Sequence, residues 1–178
     1  MIHNDIKKIL VTAEELDNIC KRLGKEITND YKDKEPLFIG LLKGCLPFMS
    51  DLLKHVDVYC EVGYLRVSSY VNDKSTGDIK ILSTLPDVKG RDVILVDDIC
   101  DTGKTINKLE NLLKTAGANS VKTCVLLDKP EGRTEVCNPD YIGRNVPKEF
   151  VVGYGLDYNE KYRNLAYVGV LKEEIYKK

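Results

Sequence analysis

Residues 93 to 105 read Val-Ile-Leu-Val-Asp-Asp-Ile-Cys-Asp-Thr-Gly-Lys-Thr: an unbroken apolar run passes into three carboxylates and then into hydroxyls, a glycine and a lysine. A β-branched run without alternation suits a strand covered on both faces of a parallel sheet, and open α/β sheets bind ligands at the carboxyl ends of such strands. The helix that follows is read from Ile106, Leu109, Leu112, Leu113 and Ala116 on one face and a stop at Gly117, so its first turn falls near Thr102 to Thr105. Free amides and the positive end of the helix dipole make that turn an anion site, with Gly103 permitting close approach and Thr102 and Thr105 adding hydroxyl donors. Asp97, Asp98 and Asp101 repel a bare anion and suit a metal ion, polyol hydroxyls or a transferred proton. A sugar bearing a phosphate meets both demands.

Gly103-Lys104-Thr105 also matches the tail of a nucleotide-binding P-loop, but that motif needs a glycine five residues earlier, where Asp98 stands. The spacing excludes it. A single Asp here serves equally well as a helix N-cap. Three so close together need a cation or a ligand to offset their repulsion.

The elements that must position these groups alternate along the chain. Thr12-Ala13-Glu14-Glu15 is a capping box for a helix carrying Leu16, Ile19, Cys20, Leu23 and Ile27. Leu37 to Leu42 predicts a strand, Pro47 to Lys54 a short helix and Tyr59 to Val67 another strand, followed by a polar stretch from Ser68 to Lys80. The strand at 93 to 96, its helix and a strand from Val121 to Leu127 form a βαβ unit, right-handed by the usual rule. Val151 to Val152 and Ala166 to Leu171 supply late strands. The fold class is α/β with a parallel sheet flanked by helices.

At 178 residues, 43% hydrophobic and 31% charged, the sequence describes one domain able to bury a core. A net charge of −1 gives no footprint for nucleic acid or an anionic membrane, and no apolar run nears the ~20 residues that span a bilayer. The first residues do not read as a signal peptide, so a cytoplasmic location is expected. Six cysteines at 20, 45, 60, 100, 124 and 137 form no Cys-x-x-Cys pair and read as buried reduced thiols. With two histidines in the chain, a zinc site or a Cys-His nucleophile has little support.

The segment Val93 to Thr105 resembles the phosphoribosyl-pyrophosphate-binding motif of type I phosphoribosyltransferases. Further stretches narrow the resemblance to the hypoxanthine-guanine branch: Leu42-Lys43-Gly44, Ser69-Tyr70 with Ser75-Thr76-Gly77-Asp78, Leu126 to Lys129, and Phe150 to Glu160 with Arg163. The resemblance implies a type I phosphoribosyltransferase fold with a small hood, built from terminal segments and part of 129 to 163, closing over a purine. It implies displacement of pyrophosphate from phosphoribosyl pyrophosphate by a ring nitrogen of hypoxanthine or guanine. The transition state resembles an oxocarbenium ion, stabilised mainly by placed charges and donors.

By the same resemblance, Thr102, Gly103, Lys104 and Thr105 grip the 5′-phosphate, and Asp97 and Asp98 hold the ribose hydroxyls. Vertebrate members of the family usually carry Glu at the first of these two positions, so the shorter Asp97 leaves room for water or metal in its contact. Asp101 faces the purine as general acid/base. Lys129 donates to the 6-oxo group, Phe150 stacks on the base and Val151 meets its edge by backbone. Lys43, Gly44 and Arg163 meet pyrophosphate. Asp157 lies at the purine and is a ligand of Mg²⁺, a metal site that Asp97 and Asp98 also approach. Ser69 and Tyr70 belong to a lid. A homodimer or homotetramer is implied. Two other readings stand beside this one: an RNA-binding regulator on the same fold, which near-neutral charge disfavours, and an enzyme of the family preferring xanthine.

Overall fold

The computed structural model describes residues 1–69 and 79–177. A 3-10 turn at Ile2–Asp5 leads into β1 (Ile6–Val11), α1 (Ala13–Asp30), β2 (Leu37–Leu42), α2 (Leu46–Leu53) and β3 (Glu61–Ser69). There follow β4 (Ile79–Ile81), β5 (Asp92–Cys100), α3 (Lys104–Thr115) and β6 (Ser120–Asp128). A second 3-10 turn at Pro130–Gly132 precedes β7 (Tyr141–Asn145), β8 (Val151–Val152), β9 (Val168–Leu171) and the single turn α4 (Glu173–Tyr176).

Six strands form one sheet in the order β4-β3-β2-β5-β6-β7, parallel throughout except for the antiparallel pairing of β4 with β3. β5 sits inside this sheet and is covered on both sides, as its unalternating sequence requires. Ile94 and Val96 pack with Leu16, Leu23, Phe48 and Leu52 of α1 and α2. Val93 and Leu95 pack on the opposite face with Leu109 and Leu113 of α3. The capping box at the start of α1 is formed, with Glu15 N donating to Thr12 Oγ1 at 3.2 Å and Thr12 N to Glu15 Oε2 at 2.8 Å.

A second sheet, β1-β9-β8, is antiparallel and joins the two chain-terminal segments to residues 151–152. Ile6 lies opposite Leu171, and Lys172 N donates to Asp5 O at 2.9 Å.

Several boundaries differ from the expectation. α3 begins at Lys104, because Gly103 takes the N-cap position with φ of 85°, and Ala116 is an exposed cap residue outside the buried face. β3 runs from Glu61 to Ser69 where Tyr59 to Val67 was expected, and α2 starts one residue earlier, at Leu46, and ends at Leu53. β5 extends through both acids to Cys100, since its pairing with β6 continues past Val96 to the Cys100–Asp128 register. The late strand begins at Val168 rather than Ala166. β1 and β7 had no expectation at all. The stretch from Ser68 to Lys80 holds the end of β3 and part of β4, while Tyr70 and Ser75-Thr76-Gly77-Asp78 lie outside the described residues. Cys60 is half-buried and the other five cysteines are buried; all six are free. No helix among the described residues is long and apolar enough to cross a membrane.

Candidate active site

The carboxyl ends of β2, β5 and β6 carry the chemistry. β2 delivers Lys43 and Gly44, with a cis peptide bond between Leu42 and Lys43. β5 delivers Asp97, Asp98 and, one residue past its end, Asp101. β6 delivers Asp128 and, next to it, Lys129.

Two cavities adjoin across the acid pair. One, of about 470 Å³, is lined by Lys43, Gly44, Asp97, Asp98, Asp157 and Arg163 together with Arg66 and Glu160. The other, of about 280 Å³, runs along Asp97 to Gly103 and includes Thr105. Lys104, Lys129, Phe150 and Val151 line neither. Of Ser69 only the backbone is described, paired with Ile79.

Packing around the acids is tight. A Cβ on Gly44 would stand 1.8 Å from Asp98 Oδ2, so the carboxylate is seated against a bare backbone. Gly155, at φ of 101°, closes the other side: a Cβ there would lie 2.0 Å from Gly44 O. Tyr154 anchors this turn by donating its hydroxyl to Asp51 Oδ2 of α2 at 2.6 Å. Arg163 Nη1 donates to Gly155 O at 2.7 Å, and Nη2 pairs with Asp157 Oδ1 at 2.8 Å. Glu160, which the sequence marks only as the close of the Phe150 to Glu160 stretch, takes Lys43 Nζ at 2.6 Å and Arg163 Nη2 at 3.3 Å. The Lys43 ammonium and then the Arg163 charge hold its carboxyl below the ordinary value.

Burial, reinforced by the charge of Asp98, pushes the Asp97 carboxyl well above the usual carboxylate range. Burial also raises Asp98, opposed by the bond to Asp97 and by the Arg163 charge. A folded-state pKa above the unfolded one means that the native state binds the proton more tightly. That contribution is present at acid pH and is lost as pH rises from the unfolded value through the folded one. At neutral pH the pair therefore opposes folding. Asp97→Asn is expected to raise Tm at pH 7, about 2–4 °C for each kcal/mol relieved in a chain of this size, with the gain shrinking to nothing below about pH 4. Paired thermal melts across that range check it, and a gain that persists undiminished in acid would refute the electrostatic cause.

Among the described residues no group of three or more His, Cys, Asp or Glu side chains is arranged to hold a metal by itself. The half-buried Asp97 and Asp98 and Asp157 on one cavity fit a cation held by one or two carboxylates with water and phosphate oxygens supplying the rest.

On the far side of the acid pair, Asp101 Oδ2 pairs with Lys129 Nζ at 3.1 Å. The lysine side chain is 12% exposed, so it is no solvent-facing loop residue. Gly103 holds the N-cap of α3 and no side chain caps the helix, which removes the N-cap reading of Asp101. Thr102 Oγ1 accepts weakly from Lys104 N at 3.4 Å. Gly132 lets its turn close on Asp101, since a Cβ there would fall 1.7 Å from Oδ1.

Phe150 is 37% exposed at the entry to β8. One face stacks on Tyr176 at 4.7 Å between centroids, and Tyr158 meets it edge-on at 5.6 Å. Val151 is buried and pairs with Val170. Cys45 and Cys100 are inert rather than activated: burial pushes the Cys45 thiol up to about 12 and Cys100 further in the same direction.

Residues 10–159 match the sequence profile of the phosphoribosyl transferase domain. The hypoxanthine-guanine phosphoribosyltransferase of Streptococcus pyogenes is 48% identical across the full length of both chains. The bifunctional protein TilS/HprT of Listeria monocytogenes is 51% identical over 98% of this chain, which spans only 27% of that relative's length. A hypoxanthine phosphoribosyltransferase structure from Staphylococcus aureus superposes with a TM-score of 0.95 at 44% identity, covering 99% of this chain and 97% of the other. One from Trypanosoma cruzi, in complex with the product IMP, gives 0.91 at 37% identity with 97% of each chain covered. With sequence, fold and full-length coverage in agreement, this chain belongs to the phosphoribosyl transferase family, in the branch of the hypoxanthine-guanine phosphoribosyltransferases.

Proposed function

We propose that this chain transfers the 5-phosphoribosyl group of phosphoribosyl pyrophosphate to hypoxanthine, and to guanine, giving IMP or GMP and pyrophosphate. The observation that carries the reading is the meeting, at the ends of neighbouring strands, of a half-buried acid pair, an amide-rich helix start and the Asp101–Lys129 pair. One end of such a site takes a phosphorylated sugar and the other a base with an exchangeable proton.

In this reading the turn from Thr102 to Thr105 receives the 5′-phosphate with backbone amides and hydroxyls. Asp97 and Asp98 accept from the ribose hydroxyls. Lys43, the Gly44 backbone and Arg163 face the pyrophosphate, for which Arg163 must exchange partners it now shares with Asp157 and Glu160. Asp157, with Asp97 and Asp98, would hold Mg²⁺, which supplies charge neutralisation for the leaving group. Asp101 takes the proton that the purine gives up, and Lys129 turns from Asp101 to the 6-oxo group. Phe150 offers the base the face that Tyr176 leaves open, with Val151 beside it. The small β1-β9-β8 sheet serves as the hood, Ser69 and Tyr70 as part of the lid, and the whole of residues 1–178 as one domain. The protein acts in the cytoplasm, as a homodimer or homotetramer.

Incubation with phosphoribosyl pyrophosphate, Mg²⁺ and hypoxanthine is expected to release pyrophosphate and form IMP; no turnover with any 6-oxopurine would overturn the proposal. The lysine carries the choice of base. A hydrogen bond to a charged group contributes about 1.5–3 kcal/mol, so Lys129→Met is expected to lower the ratio of kcat/KM for hypoxanthine over adenine by roughly tenfold. An unchanged ratio removes Lys129 from recognition.

A further inference from the structure

Arg133 belongs to none of the motifs that point to the site, yet its guanidinium is committed in every direction. Nε donates to Cys137 O at 3.1 Å, Nη1 to Cys100 O at 2.7 Å and to Asp101 O at 2.8 Å, and Nη2 to the Asp128 carboxylate. The two side chains are 16% and 7% exposed. One planar group thus ties the end of β5, the end of β6 and the 133–137 loop together. The same loop returns to the helix start, where Thr134 N and Glu135 N donate to Thr102 O at 3.1 and 3.2 Å. It also packs Cys137 so closely that a Cβ on Gly103 would lie 2.7 Å from Cys137 Cβ.

We infer that Arg133, aimed by Asp128, is a positioning residue for the transfer reaction: it holds peptide units 100–102 so that the Asp101 carboxylate and the amides beyond it point into the site. The inference rests on the phosphoribosyl-transfer reading above. Three physical points carry it. The carbonyls of residues 100 and 101 belong to the same peptide units as the N–H groups of 101 and 102. A cationic donor on one end of a peptide polarises the other and strengthens its donor. Arg133 and Asp128 neutralise each other, so the pair supplies aim rather than net attraction for an anion. Four acceptors spread around one plane match a guanidinium fork, and a lysine ammonium, with three donors on a flexible stem, cannot serve them all.

The test uses the full chain as Arg133→Lys, Arg133→Ala and Asp128→Asn, with kcat, KM for each substrate and Tm measured beside the wild type. For Arg133→Lys, kcat is expected to fall roughly tenfold or more, because displacement of a reacting group by a fraction of an ångström is costly. KM for phosphoribosyl pyrophosphate rises and KM for hypoxanthine stays within about twofold. Millimolar guanidinium restores part of the lost kcat in Arg133→Ala. A merely structural residue would lower Tm while leaving kcat per folded molecule intact, and that result in Arg133→Lys overturns the inference. If the Arg133 variants do not fold, Asp128→Asn decides: it keeps the guanidinium but exchanges its charged acceptor for a weaker neutral one and so loosens its aim; kcat must fall, and wild-type kcat there overturns the clamp. An inactive wild type overturns the parent reading instead, and with it the clamp.

Discussion

Asp101→Asn is expected to lower kcat by about 10²–10⁴-fold, the range over which a positioned general acid or base acts, while KM for phosphoribosyl pyrophosphate changes only a few-fold. The amide has the same shape, so the turn that Gly132 closes against Asp101 Oδ1 is retained. In the proposed reaction it cannot take the proton that the purine must lose as its ring nitrogen bonds to the sugar. It also removes the anionic partner of Lys129, which sits 3.1 Å away in a nearly buried position. The lysine then carries an unpaired buried charge until the 6-oxo group arrives, so base binding is expected to hold or tighten even as turnover collapses. Steady-state kinetics with pyrophosphate release as the readout separates the two constants. Wild-type kcat would strip Asp101 of its role and leave it only as the partner of Lys129.

Gly44→Ala comes next in size. The new methyl would start 1.8 Å from Asp98 Oδ2, and the backbone has nowhere to retreat because Gly155 already presses on Gly44 O. The carboxylate must rotate away or the turn at 153–157 must lift, and either shift moves a group that the proposed function sets against the sugar or the pyrophosphate. An error near 1 Å in such a group costs about 10²-fold, so kcat/KM for phosphoribosyl pyrophosphate is expected to fall by that factor or more. Overpacking of this kind also costs about 1–3 kcal/mol of stability. A crystal structure of the variant with Asp98 unmoved and kcat/KM intact would show that the seating of the carboxylate is incidental.

What could be read beforehand was local. The continuous apolar run at 93 to 96 announces a strand packed on both faces, and Thr12 with Glu15 announces a helix start; both need only a few neighbouring residues. β1 was missed because five of its six residues are exposed or only half-buried, and Ile-Lys-Lys-Ile-Leu-Val carries no period of two. β7 is short and interrupted by Gly143, whose bareness is explained by Leu126 O on the adjacent strand and Ile19 of α1. Asp97, Asp98 and Asp101 were legible as site residues because three acids at a strand end are an electrostatic oddity. Arg133 was not, since three of its four acceptors are backbone carbonyls, which leave no mark on residue identity. Glu160 meets Lys43 across 117 positions, and nothing short of the fold brings them together. The Tyr176 ring on Phe150 is of the same kind: an aromatic near the chain end acquires meaning only from where β9 places it.

The pairing of β1 with β9 carries a consequence for time as well as for shape. β1 is made about 160 positions before its partner strand, and Phe150 is itself tied to that partner through Leu171 N at 2.9 Å. During synthesis the six-stranded sheet can collapse with β5 at its heart while Ile6–Val11 waits unpaired, because contacts so distant along the chain form only after the intervening loop has closed. The acids and the turn at 102–105 can thus be assembled before the surroundings of Phe150, which wait for β9. In the proposed function, a nascent chain stalled before residue 168 would hold the sugar end of the site with no finished place for the base.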